Sequence, residues 1–202
     1  MAPGHDPMSA AGIAQALSND GWTTIDDWLP PAHRARLAAA CRDHAAAGRL
    51  EPAAVGHGAA RLYDPALRGD RTRWLKPGDP IDLLAMAPLQ ALAAALNREL
   101  FLGLRRVEAH YALYPPGARY ARHRDRFRDD DARVLSAVCY LNADWSADCG
   151  GALRMYPPDG AAPHDVLPIG GRLVIFRADT IEHEVLPAHR DRLSIAAWLR
   201  RD

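Results

Sequence analysis

Apolar residues recur every three or four positions through the first half of the chain, a spacing typical of helices that bury one face. We predict three helices there: one from Ser9 to Gly21, one over Pro31–Ala47, and one with Pro88 in its first turn that ends at Gly103. The third helix shows the spacing most clearly, at Leu89, Leu92, Leu96 and Leu100. These helices are predicted to support the fold, without a chemical role.

From position 104 onward the apolar period changes to two, the spacing of strands that bury one face. Segments bounded by Pro and Gly clusters carry this period: Val107–Leu113, Val134–Tyr140, Leu153–Met155, Arg172–Phe176 and Arg192–Leu199. Many short strands with such boundaries favour a sandwich or barrel. The predicted fold class is therefore α+β, with helices first and a β-sandwich after them.

A chain of 202 residues favours one domain. Positions 1–103 are predicted to form a mainly helical support and positions 104–200 the strand-rich core. Between the second and third helices, the polar, turn-rich stretch Arg61–Pro80 is predicted to be irregular. Composition alone leaves open whether it is a binding loop or a plain surface loop.

The formal net charge is zero, which argues against a general nucleic-acid-binding surface, because such surfaces need clustered Lys and Arg. The three cysteines form no CxxC pair and predict free thiols in a reducing compartment. Neither a signal peptide nor an apolar run long enough to span a membrane is apparent. We therefore expect a cytoplasmic protein without a membrane partner; the sequence does not indicate its oligomeric state.

His123 and Asp125 are two residues apart, so an extended strand would point both side chains to one face. His183 lies sixty residues further on, in the strand-rich half. Two histidines and one carboxylate that leave coordination positions open form the facial triad of non-haem iron(II) oxygenases. Taken singly, the His-x-Asp spacing is common by chance, and His183 can equally be a strand histidine bonded to a backbone carbonyl.

Arg192 begins a strand with two chemically different faces. Leu193, Ile195, Ala197 and Leu199 form a continuous apolar stripe, and Arg192 lies on the opposite face with Ser194, Ala196 and Trp198. If the stripe packs against the core, Arg192 points into the interior, where a guanidinium needs an anionic partner. A carboxylate of a ligand such as 2-oxoglutarate fits, because it accepts two parallel hydrogen bonds. A protein carboxylate, or simple exposure, is the alternative.

The motifs, in order, resemble the prolyl 4-hydroxylase group of Fe(II)- and 2-oxoglutarate-dependent dioxygenases, most of all the hypoxia-inducible-factor prolyl hydroxylases and their bacterial relatives. The resemblance extends from about Leu67 to Trp198. It rests on Tyr120–Asp125, Arg133–Asn142, Trp145, Gly150–Pro157, His183–Val185 and Arg192–Trp198. It implies a double-stranded β-helix, or jelly roll, for the β-rich core.

The resemblance also implies roles for further residues. Tyr140 would donate to the distal carboxylate of 2-oxoglutarate beside Arg192, Tyr114 would line the same pocket, Leu153 would be its apolar wall, and Trp198 would lie near the iron. The stretch from Leu67 to Trp74 resembles a mobile loop that closes over a peptide substrate, and it includes Arg68. In that comparison Asp70 would pair with Arg133 and so link the loop to the core. Ordinary core packing for Leu153 and Trp198, and solvated charges for Asp70 and Arg133, remain the alternatives.

The implied reaction is the hydroxylation of a prolyl residue in a protein. It requires Fe(II), consumes 2-oxoglutarate and O2, and releases succinate and CO2. A translation protein such as elongation factor Tu is a candidate partner, because bacterial relatives act on such proteins. A free amino acid or small metabolite is the alternative substrate. Nucleic-acid demethylation is disfavoured, because those relatives carry a second arginine where this chain has Trp198. A cupin-like metal- or ligand-binding protein without turnover is the alternative from another class.

Overall fold

The computed structural model describes residues 9–56, 62–126 and 131–202. Three helices lie in these residues: α1 (Ala10–Asn19), α2 (Pro31–Ala46) and α3 (Leu83–Leu100). The hydroxyl of Ser9 accepts a hydrogen bond from the Gly12 backbone N–H at 3.1 Å and so caps α1. None of the described helices has the length and apolar character needed to cross a membrane.

The predicted start of α3 was wrong. The helix begins at Leu83, and Pro88 lies inside it rather than in its first turn. The residue before the helix explains the difference, because the buried Asp82 is fixed by three donors: the Tyr111 hydroxyl at 2.7 Å, the Lys76 backbone N–H at 2.8 Å and Arg73 at 3.2 Å. This anchor sets the helix start upstream of the proline, at the cost of one backbone hydrogen bond.

The described strands form two antiparallel sheets. They are β1 (Trp22–Ile25), β2 (Glu51–Pro52), β3 (Arg71–Trp74), β4 (Arg106–Tyr114), β5 (Tyr120–His123), β6 (Arg133–Tyr140), β7 (Leu153–Tyr156), β8 (His164–Val166), β9 (Leu173–Arg177), β10 (Glu182–Val185) and β11 (Arg192–Arg200). A seven-stranded sheet has the order β1-β9-β6-β11-β4-β3-β2, and a four-stranded sheet has the order β5-β10-β7-β8. The prediction of an α+β fold with a jelly-roll core is confirmed.

The stretch Arg61–Pro80 was predicted to be irregular, and this was wrong for part of its described residues, 62–80. β3 pairs with β4, with Arg71 opposite Leu113 and Trp74 opposite His110. β3 carries no apolar alternation, so the sequence offers no period-two signal there. Its ladder with β4 supplies the backbone hydrogen bonds that define the strand.

Two apolar cores lie on opposite faces of the large sheet. One joins the helices to the sheet and contains the predicted stripe of Leu193, Ile195, Ala197 and Leu199. The other lies between the two sheets and contains Tyr114, Tyr140, Leu153, Phe176 and Val185. Because successive residues of β11 alternate between these faces, Arg192 points into the space between the sheets. The predicted orientation of this strand is confirmed.

Candidate active site

The structure brings His123, Asp125 and His183 together at the end of the four-stranded sheet. β5 and β10 are paired with His123 directly opposite His183. The Nε2 atoms of these histidines lie 3.5 and 3.7 Å from the Asp125 carboxylate oxygens. One potential ligand atom from each residue lies within 4.8 Å of the others, close enough to share one metal ion. Two imidazole nitrogens and one carboxylate are the donor set of the facial triad.

Asp125 is not placed in this cluster by the strand geometry that the sequence predicted. β5 ends at His123, so the two side chains do not share the face of one strand. The Arg126 backbone N–H instead donates to Ala178 O at 3.1 Å and anchors the chain just after Asp125. The Ser136 hydroxyl, from β6, donates to Asp125 Oδ2 at 2.7 Å and orients the carboxylate.

Backbone carbonyls orient both imidazoles. His123 Nδ1 lies 2.7 Å from Ala121 O, and His183 Nδ1 lies at a longer 3.5 Å from Ile181 O. A hydrogen bond to a carbonyl requires the hydrogen to be on Nδ1, which leaves the Nε2 lone pair directed at the cluster. The Tyr120 ring stacks on His123 with centroids 3.7 Å apart and further fixes the imidazole plane.

The electrostatics of the cluster favour the protonation states that bind a cation. Burial lowers the pKa of His183 to about 4, so its imidazole is neutral near pH 7. Burial acts to raise the pKa of Asp125, but the two imidazoles and the Ser136 hydroxyl outweigh it and hold that pKa well below its usual range. Metal ions bind neutral imidazole and ionised carboxylate, so no proton must leave these two groups first.

Arg192 is almost completely buried, with 1% of its surface exposed. Its Nε donates to Gly151 O at 2.8 Å, and Nη1 lies 3.4 Å from the Ser194 hydroxyl. Nη2 has no hydrogen-bond partner, and no carboxylate of residues 9–56, 62–126 or 131–202 forms an ion pair with this guanidinium. Both alternatives left open by the sequence, exposure and a protein salt bridge, are therefore excluded within those residues. A buried guanidinium in this state fits an anionic ligand.

Two tyrosines flank the Arg192 guanidinium. Its central carbon lies 5.1 Å from the ring centroid of Tyr114 and 5.0 Å from that of Tyr140. The Tyr140 hydroxyl is buried and lacks a partner within the described residues. Burial raises the pKa of Tyr140 to about 12, so its hydroxyl keeps its proton and can donate. Arg192 and Tyr140 thus present two unused donors side by side.

His123, Asp125 and His183, the metal-type cluster, line one cavity together with Arg192, and the cavity volume is about 50 Å³. Ala112, Val138 and Val185 supply apolar wall, and the predicted Tyr114, Leu153 and Trp198 also line it. A concave site with an apolar wall and a few convergent polar groups is typical of small-molecule binding.

Residues of the predicted substrate loop lie near the same cavity, but their ion pairs differ from the expected ones. Arg68 lines the cavity and pairs with Asp70 at 2.7 Å. Arg133 pairs with Glu108 at 2.9 Å instead of with Asp70. The predicted link between loop and core through these two residues was therefore wrong. Glu108 is on β4 and Arg133 on β6, the two neighbours of β11, so the sheet itself brings them together.

The predicted Trp74 is half exposed at 52% and packs edge-on against His110, with ring centroids 5.2 Å apart. His110 is buried, lines the cavity and lies 5.2 Å from the Trp198 ring. The rings of Trp198, His110 and Trp74 therefore form a continuous aromatic cluster from the cavity wall to the protein surface.

Comparison with known proteins decides the family. Residues 109–200 match the 2OG-Fe(II) oxygenase superfamily. A prolyl-4-hydroxylase of Pseudomonas putida has a similar structure, with a TM-score of 0.86 and 44% sequence identity, and the similarity covers 96% of this chain and 99% of that one. The chain belongs to the 2OG-Fe(II) oxygenase superfamily. A prolyl hydroxylase of Trichoplax adhaerens, solved with a peptide of the hypoxia inducible factor oxygen degradation domain, is another similar oxygenase, with a TM-score of 0.81, 26% identity and coverage of 95% and 89%.

Longer relatives are also similar to this oxygenase. Egl nine homolog 1 of Homo sapiens is 35% identical over 140 residues, which cover 65% of this chain. The hypoxia-inducible factor prolyl hydroxylase of Caenorhabditis elegans is 27% identical over 202 residues, which cover 94% of it. The chain spans 33% of the human relative's length and 28% of the nematode relative's.

Iron(II), 2-oxoglutarate and O2 are the metal and co-substrates of this superfamily, and the oxygenase site fits them on its own geometry. The His123, Asp125 and His183 ligands suit the metal. The partnerless Nη2 of Arg192 suits a carboxylate in the same cavity, and the Tyr140 ring lies beside that guanidinium without itself lining the cavity.

Several residues that support the oxygenase site were missed from the sequence. Ser136 shares a face of β6 with Val138 and Tyr140, so the period-two pattern could have identified it. Phe176, whose ring lies edge-on to His183 at 4.6 Å, gave no signal beyond a general preference for strands, and Tyr120 lay within a resembling motif but without an assigned role. Gly151 could have been suspected from the Gly-Gly pair, since it has a φ of +69° that favours glycine.

Proposed function

We propose that this protein is an Fe(II)- and 2-oxoglutarate-dependent dioxygenase that hydroxylates a prolyl residue in a protein. One observation carries the proposal: a three-residue metal-type cluster and a buried arginine without a carboxylate partner in the described residues line the same cavity. A non-catalytic binding protein needs no such pairing of an open metal site with a second, anionic subsite.

His123, Asp125 and His183 are assigned as the metal ligands. Arg192 and Tyr140 are assigned to the distal carboxylate of 2-oxoglutarate, with Tyr114 and Leu153 as pocket wall and Trp198 beside the metal. When bound, iron and 2-oxoglutarate with O2 supply the oxidative chemistry that hydroxylates a C–H bond and releases succinate and CO2. The protein's own contribution is to fix the ligand geometry, to hold the co-substrate by its far end, and to exclude water with apolar wall.

A peptide substrate is supported by the surroundings of the cavity. Trp74, 52% exposed, packs against the cavity-lining His110, and Leu67, 41% exposed, directly precedes the cavity-lining Arg68 in the chain. Exposed apolar side chains next to an active cavity are typical of sites that bind another chain. We assign Arg68, Asp70 and Trp74 to this substrate side. The Pseudomonas putida relative is named a prolyl-4-hydroxylase and the Trichoplax relative was solved with a peptide, which favours a prolyl residue.

The test measures turnover and its product. The protein is incubated with Fe(II), 2-oxoglutarate and air, and with either proline-containing peptides, a translation protein such as elongation factor Tu, or free amino acids. We expect peptide or protein to stimulate succinate release, and mass spectrometry to locate one added oxygen on a proline. His183→Ala should abolish both signals and should lose metal. Stimulation by free amino acids alone would refute the peptide substrate, and absence of metal binding would refute the enzyme.

Two further expectations rest on the sequence alone. We propose that the protein acts in the cytoplasm, and that positions 1–103 support a catalytic core over positions 104–200.

A further inference from the structure

A cluster of charged side chains lies directly behind Trp198. Glu108 Oε1 accepts hydrogen bonds from Arg133 Nε at 3.1 Å, from Arg133 Nη2 at 2.9 Å and from Arg200 Nη1 at 3.0 Å. All three side chains are mostly buried, with 12–15% of each exposed. Burial acts to raise the pKa of Glu108, but the two guanidinium groups outweigh it and lower that pKa. Glu108 is therefore an ionised carboxylate bonded by three arginines, because Arg106 Nη2 also donates to its Oε2 at 3.2 Å.

Arg133 connects this cluster to the active site in two places. Its guanidinium carbon lies 3.8 Å from the centroid of the Trp198 ring, so the planar group covers one face of the indole. Its Nη1 lies 3.4 Å from the backbone oxygen of Asp125. Trp198 lines the cavity and Asp125 belongs to the metal-type cluster. One side chain thus contacts both the backbone of a ligand and the wall beside it.

The contact with Asp125 is significant because of where this residue lies. β5 has ended at His123, so no strand ladder holds the backbone of Asp125. In the described residues around it, the backbone is held by the Arg126 N–H bond to Ala178 O and by the longer contact with Arg133. Movement of Arg133 would therefore shift the Asp125 carboxylate, whose Oδ2 accepts a hydrogen bond from the Ser136 hydroxyl.

We propose that Glu108 is a positioning residue for the metal site: it fixes the Arg133 guanidinium, which in turn holds the Asp125 backbone and the Trp198 indole. Glu108 does not touch metal, co-substrate or substrate, and it acts only through Arg133. The inference rests on the proposed function, since it requires His123, Asp125 and His183 to bind a divalent metal.

The test measures metal affinity directly, without turnover. Mn²⁺ binding is titrated calorimetrically for the wild type, Glu108→Gln, Arg133→Gln and the double variant. Residues that orient ligands from outside the coordination sphere commonly change metal affinity by about 10–100-fold. We expect the Mn²⁺ Kd of Glu108→Gln to rise about tenfold. At saturating Mn²⁺ the Kd of 2-oxoglutarate should be unchanged, because Arg192 lies elsewhere in the cavity.

Asp202→Asn is the matched control. Asp202 accepts two bonds of 2.7 Å from Arg200 at the exposed end of the same cluster, so its change disturbs Arg200 without touching Arg133. Its Mn²⁺ Kd should equal that of the wild type. Thermal melting of every variant shows whether the fold is retained.

The double variant tests whether Glu108 acts through Arg133. We expect it to bind Mn²⁺ no more weakly than Arg133→Gln alone, because the two side chains act as one unit. Losses that multiply in the double variant, or a Glu108→Gln protein with wild-type Mn²⁺ affinity, would overturn the inference. A wild-type protein that binds no Mn²⁺ would instead contradict the proposed function.

Discussion

Replacement of Arg192 by methionine should abolish tight binding of 2-oxoglutarate while leaving the metal site intact. Methionine retains an unbranched apolar stem, so the change removes mainly the guanidinium and its charge. The group removed is 1% exposed, and its Nη2 lacks a partner in the described residues. Its neighbour Tyr140 keeps its own partnerless hydroxyl. The lost binding free energy therefore reports the interaction between the Arg192 guanidinium and the ligand carboxylate.

The magnitude follows from the bonds that this geometry offers. A hydrogen bond to a charged group contributes about 1.5–3 kcal/mol, and truncation of one partner of a buried charged pair costs about 2–5 kcal/mol. Arg192 offers Nη2 outright, and its long 3.4 Å contact through Nη1 can be exchanged for a carboxylate oxygen. We expect a loss of about 2–5 kcal/mol, which is a rise in Kd of roughly 30-fold to 4000-fold.

The assay is calorimetric titration of 2-oxoglutarate into Mn²⁺-loaded protein without O2, after separate titration of Mn²⁺. Arg190→Met is the control, since this exposed arginine contacts the Trp145 ring and the Asp144 carbonyl rather than the cavity. The Mn²⁺ Kd should be unchanged in both variants. If Arg192→Met binds 2-oxoglutarate within about threefold of the wild type, a difference of under 1 kcal/mol, the assignment of Arg192 is refuted.

The orientation of β11 could be predicted because its two faces differ chemically. Four apolar residues in strict alternation leave a single register that buries the stripe, and the other face then carries Arg192 and Trp198 into the cavity. A single strand thus determined where Arg192 points. The grouping of His123, Asp125 and His183 was a less secure prediction, because the sequence gives their types and spacing but not their convergence.

The failures share a physical cause. Asp125 lies past the end of β5, and the anchor that places it, Ala178, is more than fifty residues away in the chain. Arg133 takes Glu108 as partner because β4 and β6 both pair with β11, a neighbour relation that no local pattern encodes. The start of α3 depends on donors to Asp82 from β3 and β4. In each case a tertiary contact decided between locally acceptable alternatives.

Three further predictions follow from single side chains. Tyr140→Phe removes one partnerless hydroxyl and should weaken 2-oxoglutarate binding by about 0.5–1.5 kcal/mol, measured in the same titration; unchanged affinity would remove Tyr140 from the site. Gly151→Ala should destabilise the fold by roughly 1–3 kcal/mol in denaturant unfolding, because a Cβ at φ +69° would lie 3.1 Å from Arg192 Cδ. Gly160→Ala, at φ +80° in open space, is the control and should cost less stability. Equal losses in the two variants would contradict the crowding argument. Burial lowers the pKa of His110 from 6.5 to about 4, so between these values the unfolded state binds a proton that the folded state refuses. Stability should therefore fall as the pH drops from about 6.5 to about 4, by roughly 3 kcal/mol from this residue alone. His110→Gln should flatten the curve of unfolding free energy against pH over that window, and curves that stay parallel would show that His110 is protonated inside the fold.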